Sequence, residues 1–254
     1  MVLRLLKIPK STYFDWAHYV ESNRHREDNI LKALLHDIWQ NNCKAYGAPR
    51  LRLALANLNL YHGTNRIRRL MQEAGIYSVM SQRFNKPATT VEYKQRPNLI
   101  RHLPEANAWS IITYLKLSNG QWVYLASTLD LRTHKILAHQ ISATMDTNLV
   151  VTTLQRALST HKKPNDLHTD MGSQFTSFGF ENLLNRHKID HSYSKLKHPY
   201  DNAKIESFHS LLKREMTYQF RFPSIAHLIL DVSKYIQWFN DERISLSNRK
   251  IKVA

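Results

Sequence analysis

LHTDMGSQFTS, residues 167–177, and KHPYDNAKIESFHSLLKRE, residues 197–215, are the stretches that decide how this 254-residue chain is read. The first opens as an apolar, strand-like run and delivers Asp170 just before a glycine-containing turn. The second reads as an amphipathic helix from Asn202 to about Tyr218. Ile205, Phe208, Leu212 and Met216 fall on one of its faces, while Glu206, Ser210 and Lys213 fall together on another. That second stripe sets a carboxylate beside a cation, an arrangement suited to phosphodiester chemistry with a divalent metal. Between Asp170 and Glu206 lie 35 residues.

Upstream of Asp170 the apolar period is two. Ser110–Leu117 reads as a strand, Asn119-Gly120 as a tight hairpin turn, Gln121–Asp130 as a second strand and Lys135–Ser142 as a third. A helix at Asn148–Leu158, the strand ending at Asp170, a helix at Phe178–His187 and a strand at Asp190–Ser194 follow. A last helix, about Ser224–Asp241, carries Tyr235, Trp238 and Phe239.

The N-terminal part has a different texture. Residues 22–43 read as a long helix with Ile30, Leu31, Leu34, Leu35 and Ile38 inward. In residues 46–76, Pro49 suits the first turn of a helix whose apolar residues are Leu51, Ala54, Leu55 and Leu58, Asn59–Gly63 a turn, Thr64 an N-cap and Gly75 a helix stop. Ile67, Leu70, Met71 and Ala74 make the second helix's buried stripe, leaving Arg66, Arg68 and Arg69 around its exposed side. Two short helices with arginines on the second describe a helix-turn-helix reader of the major groove, or a solvated charged helix pair. Residues 81–105, with Pro87, Pro97 and Pro104 among basic side chains, read as a basic linker.

Lys and Arg number 36 against 20 Asp and Glu, a formal net charge of +16 spread over both halves of the chain. That balance suits a phosphate backbone as partner. The single cysteine, Cys43, leaves no disulfide framework and no thiolate zinc cluster. No apolar run approaches the ~20 residues that span a bilayer, and no signal-peptide pattern is present, so an intracellular protein is expected.

The motifs TD-x-G-S-Q-[FY]-T-S and YDNA-x-x-ES-F-x-x-LK-x-E, in this order and at this interval, resemble those of bacterial insertion-sequence transposases. More narrowly, the chain is similar to the second-reading-frame product of elements that make their transposase by frameshifting. The resemblance covers about residues 2–245. It implies an α/β fold: a ribonuclease H-like, retroviral-integrase-like catalytic core (a mixed sheet with helices) over 106–254. An all-α, helix-turn-helix-like DNA-binding region over 1–80 and the 81–105 linker precede it. The implied activity is metal-dependent 3′-end cleavage and strand transfer of an insertion sequence. The implied cofactor is Mg²⁺ or Mn²⁺, two ions in an intact site. The implied partners are element-end and target DNA, a first-frame protein as fusion or complex, and further copies on DNA; no membrane is involved, and the location is the bacterial cytoplasm, nucleoid-associated. By motif, Asp170 and Glu206 match the second and third acids of the family's catalytic, metal-binding triad. Lys195 and Lys197, in the loop beside that site, Asn202, in the YDNA motif, and Lys213, beyond Glu206 on its helix, are read as DNA-binding together with Arg66, Arg68 and Arg69.

The first acid of that triad is missing. The family writes its first strand W-x-x-D-[IV]-T-[YE], whereas this chain reads Trp109-Ser-Ile-Ile-Thr-Tyr-Leu. Ile111 stands where the aspartate is expected, and the interval from Trp109 is one residue short. An alkyl side chain offers a hard cation no oxygen. Asp130, in LDLRTHKI, is the acid available as a stand-in, and the ending RISLSNRKIKVA also departs from R-x-H-x-x-L-G-Y-x-x-P. Two readings stand: a transposase impaired in this copy, or a catalytically inactive DNA-binding remnant. A stand-alone ribonuclease H-type nuclease fits the arginine-bearing helices and end motifs less well.

Overall fold

The computed structural model describes residues 9–18, 21–81, 98–99, 108–110, 113–117, 119–194 and 203–246. These form two compact units, one of residues 1–78 with 244–254 and the other of residues 79–243.

The first unit is helical: α1 (Lys10–Ala17), α2 (Asn23–Asn41), α3 (Ala48–Ala56) and α4 (Thr64–Glu73). Ser22 caps α2 by accepting the His25 N–H. The core is Leu31, Leu35 and Trp39 from α2, Leu51 and Leu55 from α3, and Ile67, Leu70 and Met71 from α4. Ile30 is 71% exposed and Leu58 53% exposed, so neither joins this core as the periodicity suggests. The N-cap of α4 is Gly63, and Thr64 is instead its first helical residue. Gly75 ends the run at φ +65°, the left-handed conformation that favours glycine. Ile244 closes on this unit, its N–H donating to the Tyr46 hydroxyl (2.8 Å) and its carbonyl accepting from Arg50 Nε (3.0 Å).

The second unit is built on a six-stranded mixed sheet: β1 (Ala108–Ser110), β2 (Thr113–Lys116), β3 (Trp122–Asp130), β4 (Ile136–Ser142), β5 (Asp166–Thr169) and β6 (Asp190–Tyr193). β1 and β2 follow one another antiparallel along one edge of β3, and β4 takes the other edge. β5 lies parallel to β1, and β6 parallel to β5. Flanked on both edges, β3 is buried without interruption from Leu125 to Leu129. Gly120, at φ +86°, makes the hairpin turn into it.

Helices α5 (Thr147–Thr160) and α6 (Phe178–His187) cover one face, packing Leu149, Leu154, Phe180 and Leu184 against Trp109, Ala126, Ala138 and Leu167. Helices α7 (Ala203–Leu212) and α8 (Ile225–Asp241) cover the other. Ser127 and His139 are cross-strand partners and face these helices together. Ser127 Oγ meets His209 Nε2 of α7 at 2.9 Å, and His139 Nε2 meets Ser233 Oγ of α8 at 3.0 Å. The helix expected to run on to Tyr218 widens after Leu212 into a π turn, Lys213–Thr217, closed by the Tyr218 N–H on the Lys213 carbonyl. Glu215 in that turn is fully buried and chelated by Arg243, with Nη2–Oε1 at 2.7 Å and Nε–Oε2 at 3.0 Å. The Tyr235 hydroxyl donates to the same carboxylate at 2.7 Å. No helix among the described residues is long and apolar enough to cross a membrane.

Two stability measurements follow from these buried groups. Arg243→Met strands the Glu215 carboxylate and is expected to cost about 3–5 kcal/mol in urea unfolding, with the Glu215→Met/Arg243→Met pair less destabilised than the single variant. For His209, burial drives the imidazole pKa down to about 3 from 6.5, with the Lys213 charge adding to the effect. The unfolded chain therefore takes up a proton that the folded chain refuses. Stability falls as pH drops from 6.5 toward 3, by up to about 1.4 kcal/mol per pH unit from this group. His209→Leu should flatten the urea-midpoint profile over that window relative to the parent, and unchanged curvature would contradict the neutral buried imidazole.

Candidate active site

Asp170 leaves the sheet at the carboxyl end of β5. In the register, His168 pairs with residue 110, which pairs in turn with Leu129. Paired residues point to one side, so His168, Leu129 and Ser127 share the face that carries α7. Asp170, two residues beyond His168, follows the same alternation. Counting from the 168–110–129 row sets it level with Ser127, two strands and roughly 10 Å away. His209 anchors α7 at Ser127, and Glu206 lies one turn earlier on that helix, exposed. The two sequence-predicted acids thus lie over the same face of the sheet.

Local chemistry keeps both carboxylates available. Asp170 Oδ1 accepts the Gly172 N–H at 2.9 Å, and Oδ2 has no hydrogen-bond partner among the described residues. Solvent reaches the side chain, yet the protein crowded around it raises the carboxyl pKa, with the Gly172 N–H working in the opposite direction. Glu206 has neither hydrogen bond nor ion pair with any described residue.

The loop after Asp170 is tight. A Cβ on Gly172 would lie 2.3 Å from Gln174 Nε2, so the buried Gln174 amide covers the glycine and leaves no room there for a side chain. Behind the strand, Thr169 Oγ1 donates to the Asp170 carbonyl (2.8 Å) and meets His191 Nε2 (2.9 Å). His191 in turn lies 3.3 Å from Glu181, which also accepts the Tyr193 hydroxyl. His168 is fully buried between Ser192 (2.8 Å) and Ser194 (3.1 Å), a strand histidine with both ring nitrogens occupied.

Asp130 is committed elsewhere. Its oxygens accept from Arg132 N (2.9 Å) and Thr133 Oγ1 (2.6 Å), fixing the turn into β4, and it pairs with Trp109, whose side chain packs on the sheet face opposite α7. Its carboxylate is thus engaged in the β3–β4 turn. Lys213 is half-buried in the π turn. Ile111, Lys195, Lys197, Asp201 and Asn202 lie outside the described residues. Among the described residues, no group of three or more His, Cys, Asp or Glu side chains is placed to hold a metal ion.

In the helical unit, the three arginines divide. Arg66 reaches Asp28 at 2.6 Å and Glu27 at 3.3 Å, and Arg69 bonds Asp28 and Glu73. Asp28 is only 5% exposed, and the two guanidiniums hold its carboxyl down to about 2. Arg66, expected on the open side of α4, is thus half-buried against α2. Arg68 alone of the three is turned away, bonded to Asn65 at 3.0 Å.

Three family models match the chain: an HTH-like domain over residues 25–84, and integrase core domains over 108–199 and 187–245. It is 31% identical over 239 residues to the transposase for insertion sequence element IS904 of Lactococcus lactis subsp. lactis, covering 89% of this chain and 93% of that one. With the putative transposase InsK for insertion sequence element IS150 of Escherichia coli K12 it shares 27% over 252 residues, 96% and 88% of the two chains. Among solved structures, the simian T-cell lymphotropic virus intasome in complex with PP2A regulatory subunit B56 gamma matches at a TM-score of 0.50 and 17% identity, covering 86% of this chain and 72% of that one, which shows a common fold. An integrase core of ribonuclease H-like fold behind an HTH-like region, with relatives of this kind along nearly its whole length, makes the chain a member of the insertion-sequence transposases.

Proposed function

We propose that the chain descends from an enzyme of DNA transposition whose first-strand metal ligand has been lost, so that it binds element ends but cleaves and joins them poorly. Residues 106–254 would be the catalytic core, 1–80 the end-binding region and 81–105 the tether between them. The observation carrying this reading is the pair of acids, Asp170 and Glu206, over one sheet face with no protein cation paired to either among the described residues. A crowded carboxylate short of positive charge is a fitting ligand for a hard divalent ion, and these two side chains would hold Mg²⁺ or Mn²⁺. Such ions, when bound, offset charge on the attacked phosphate and on the entering and leaving oxygens.

The chain's own residues account for the rest. The Gly172 N–H fixes the Asp170 carboxylate, and the His209 bond fixes the helix bearing Glu206. In the intact reaction, a water oxygen bonds to phosphorus as the P–O3′ bond breaks, freeing a 3′-hydroxyl. That hydroxyl then displaces an oxygen on a target phosphodiester, without a covalent protein intermediate. Lys195, Lys197, Asn202 and Lys213 would contact the DNA strands.

The sheet register supports the loss at the first strand. Residue 110 is opposite Leu129 and residue 113 opposite Leu125, three steps on one strand against four on β3. Over Tyr124–Thr128, β3 pairs with β4 without a break, so the shortfall belongs to the β1–β2 side. It coincides with the residue missing between Trp109 and Thr113, where Ile111 replaces the expected aspartate. By the same family resemblance, the chain is the second-frame product, acting with or fused to a first-frame protein and assembling as an oligomer on DNA.

The test compares the purified chain with a repaired one, Ile111→Asp with one residue restored after Trp109, on duplexes carrying the ends of the encoding element, with Mg²⁺ or Mn²⁺. The repaired chain is expected to exceed the parent in end cleavage and strand transfer by on the order of 10²-fold. Asp170→Asn or Glu206→Gln in the repaired chain should return it to the parent's level. Robust cleavage by the parent as written would sink the reading of Ile111.

A further inference from the structure

Helix α4 presents two flanks to either side of its core stripe Ile67, Leu70 and Met71. One flank, Arg66, Arg69 and Glu73, is tied to α2: Asp28 takes both arginines, Glu27 takes Arg66, and Glu73 bridges Arg69 and Lys32. Charges are balanced there inside the protein, and a phosphate would have to displace a carboxylate from each guanidinium. The other flank carries Asn65, Arg68 and Gln72 at i, i+3 and i+7, all exposed and with no acidic side chain among them. Arg68 spends one donor on Asn65 Oδ1, at 3.0 Å, and no other partner engages its guanidinium among the described residues. Gln72 is likewise unengaged.

We propose that this stripe, Asn65–Arg68–Gln72, is the surface that reads base edges of duplex DNA, and that Arg66 and Arg69 serve only to hold α4 on α2. The proposal rests on the DNA-binding reading of the helical unit. The residue types carry it further. Arginine matches the paired acceptors of guanine, and asparagine and glutamine match the acceptor–donor pair of adenine in the major groove. An exposed helix stripe bearing these three and no acid is complementary to a base-lined, anionic groove in both charge and hydrogen bonding. The Arg68–Asn65 bond also limits the freedom of the guanidinium before contact, which favours a fixed register on the bases.

The experiment uses the full chain and selection of bound duplexes from a pool with a randomised central segment. Anisotropy titrations then compare the enriched duplex with a scrambled one over a range of salt. Arg68→Ala is expected to weaken the enriched duplex about 10-fold or more and to level the preference over the scrambled one. Asn65→Ala and Gln72→Ala should each relax preference at distinct base positions. Arg24→Ala, which removes an exposed charge elsewhere on the unit, should weaken both duplexes alike and only slightly. Asp28→Asn should lower Tm while the folded fraction keeps the parent's preference. Retained preference in all three stripe variants, with loss in a stably folded Arg69→Ala, overturns the assignment while leaving DNA binding intact. Absence of salt-sensitive binding by the parent overturns the DNA reading of the unit and this proposal with it.

Discussion

The hydrogen bond between Ser127 and His209 seats the helix that carries Glu206 on the central strand of the sheet. The seat lies on the face from which Asp170 departs. It is also uncharged: in its apolar surroundings the imidazole keeps its single proton, and the bond to serine satisfies the nitrogen facing the sheet. An arginine or protonated histidine one turn from Glu206 would offer the carboxylate a partner within the protein. A neutral anchor seats the helix without supplying Glu206 such a partner.

Elsewhere the molecule pairs its buried charges. Glu215 is chelated by Arg243, and Asp28 by Arg66 and Arg69. Each pair locks one element to another: the π turn to the end of α8, and α4 to α2. A chain with a formal charge of +16 has cations in abundance, so the absence of one at Asp170 and Glu206 among the described residues is a property of placement rather than supply.

Much of this layout was legible in the chain. The period-two runs, the Asn119-Gly120 turn and the helix at Phe178–His187 all locate elements that the structure contains, because hairpin chemistry and amphipathic spacing are local signals. What escaped was long-range. Arg66 and Arg69 look solvent-facing when α4 is considered alone, since their acid lies on α2, 38 and 41 residues earlier. A signal did exist: Asp28 falls on the Leu31–Leu35–Trp39 stripe, and a carboxylate on a buried stripe demands a cation. Ile30 and Leu58 failed for the opposite reason, being apolar at positions that no neighbour covers. At the candidate site, Asp170 and Glu206 were visible through motif spacing. The anchoring by His209 and the Gln174 amide over Gly172 were not, because both depend on contacts that periodicity does not encode.

The register of the first strand bears on what an intact site would require. Side chains alternate along a strand, so an aspartate three residues after Trp109 falls on the face opposite the tryptophan, whereas one two residues after it shares the tryptophan's face. Trp109 packs into the core beneath α5 and α6, while Asp170 and the α7 anchor belong to the opposite side. A carboxylate that completes the site from the first strand has to be turned to the side of Asp170 and α7, away from the apolar core, where a charge is costly to bury. On the proposed reading, the three-against-four mismatch with β3 and the loss of the acid fall in one interval of the first strand and are one lesion.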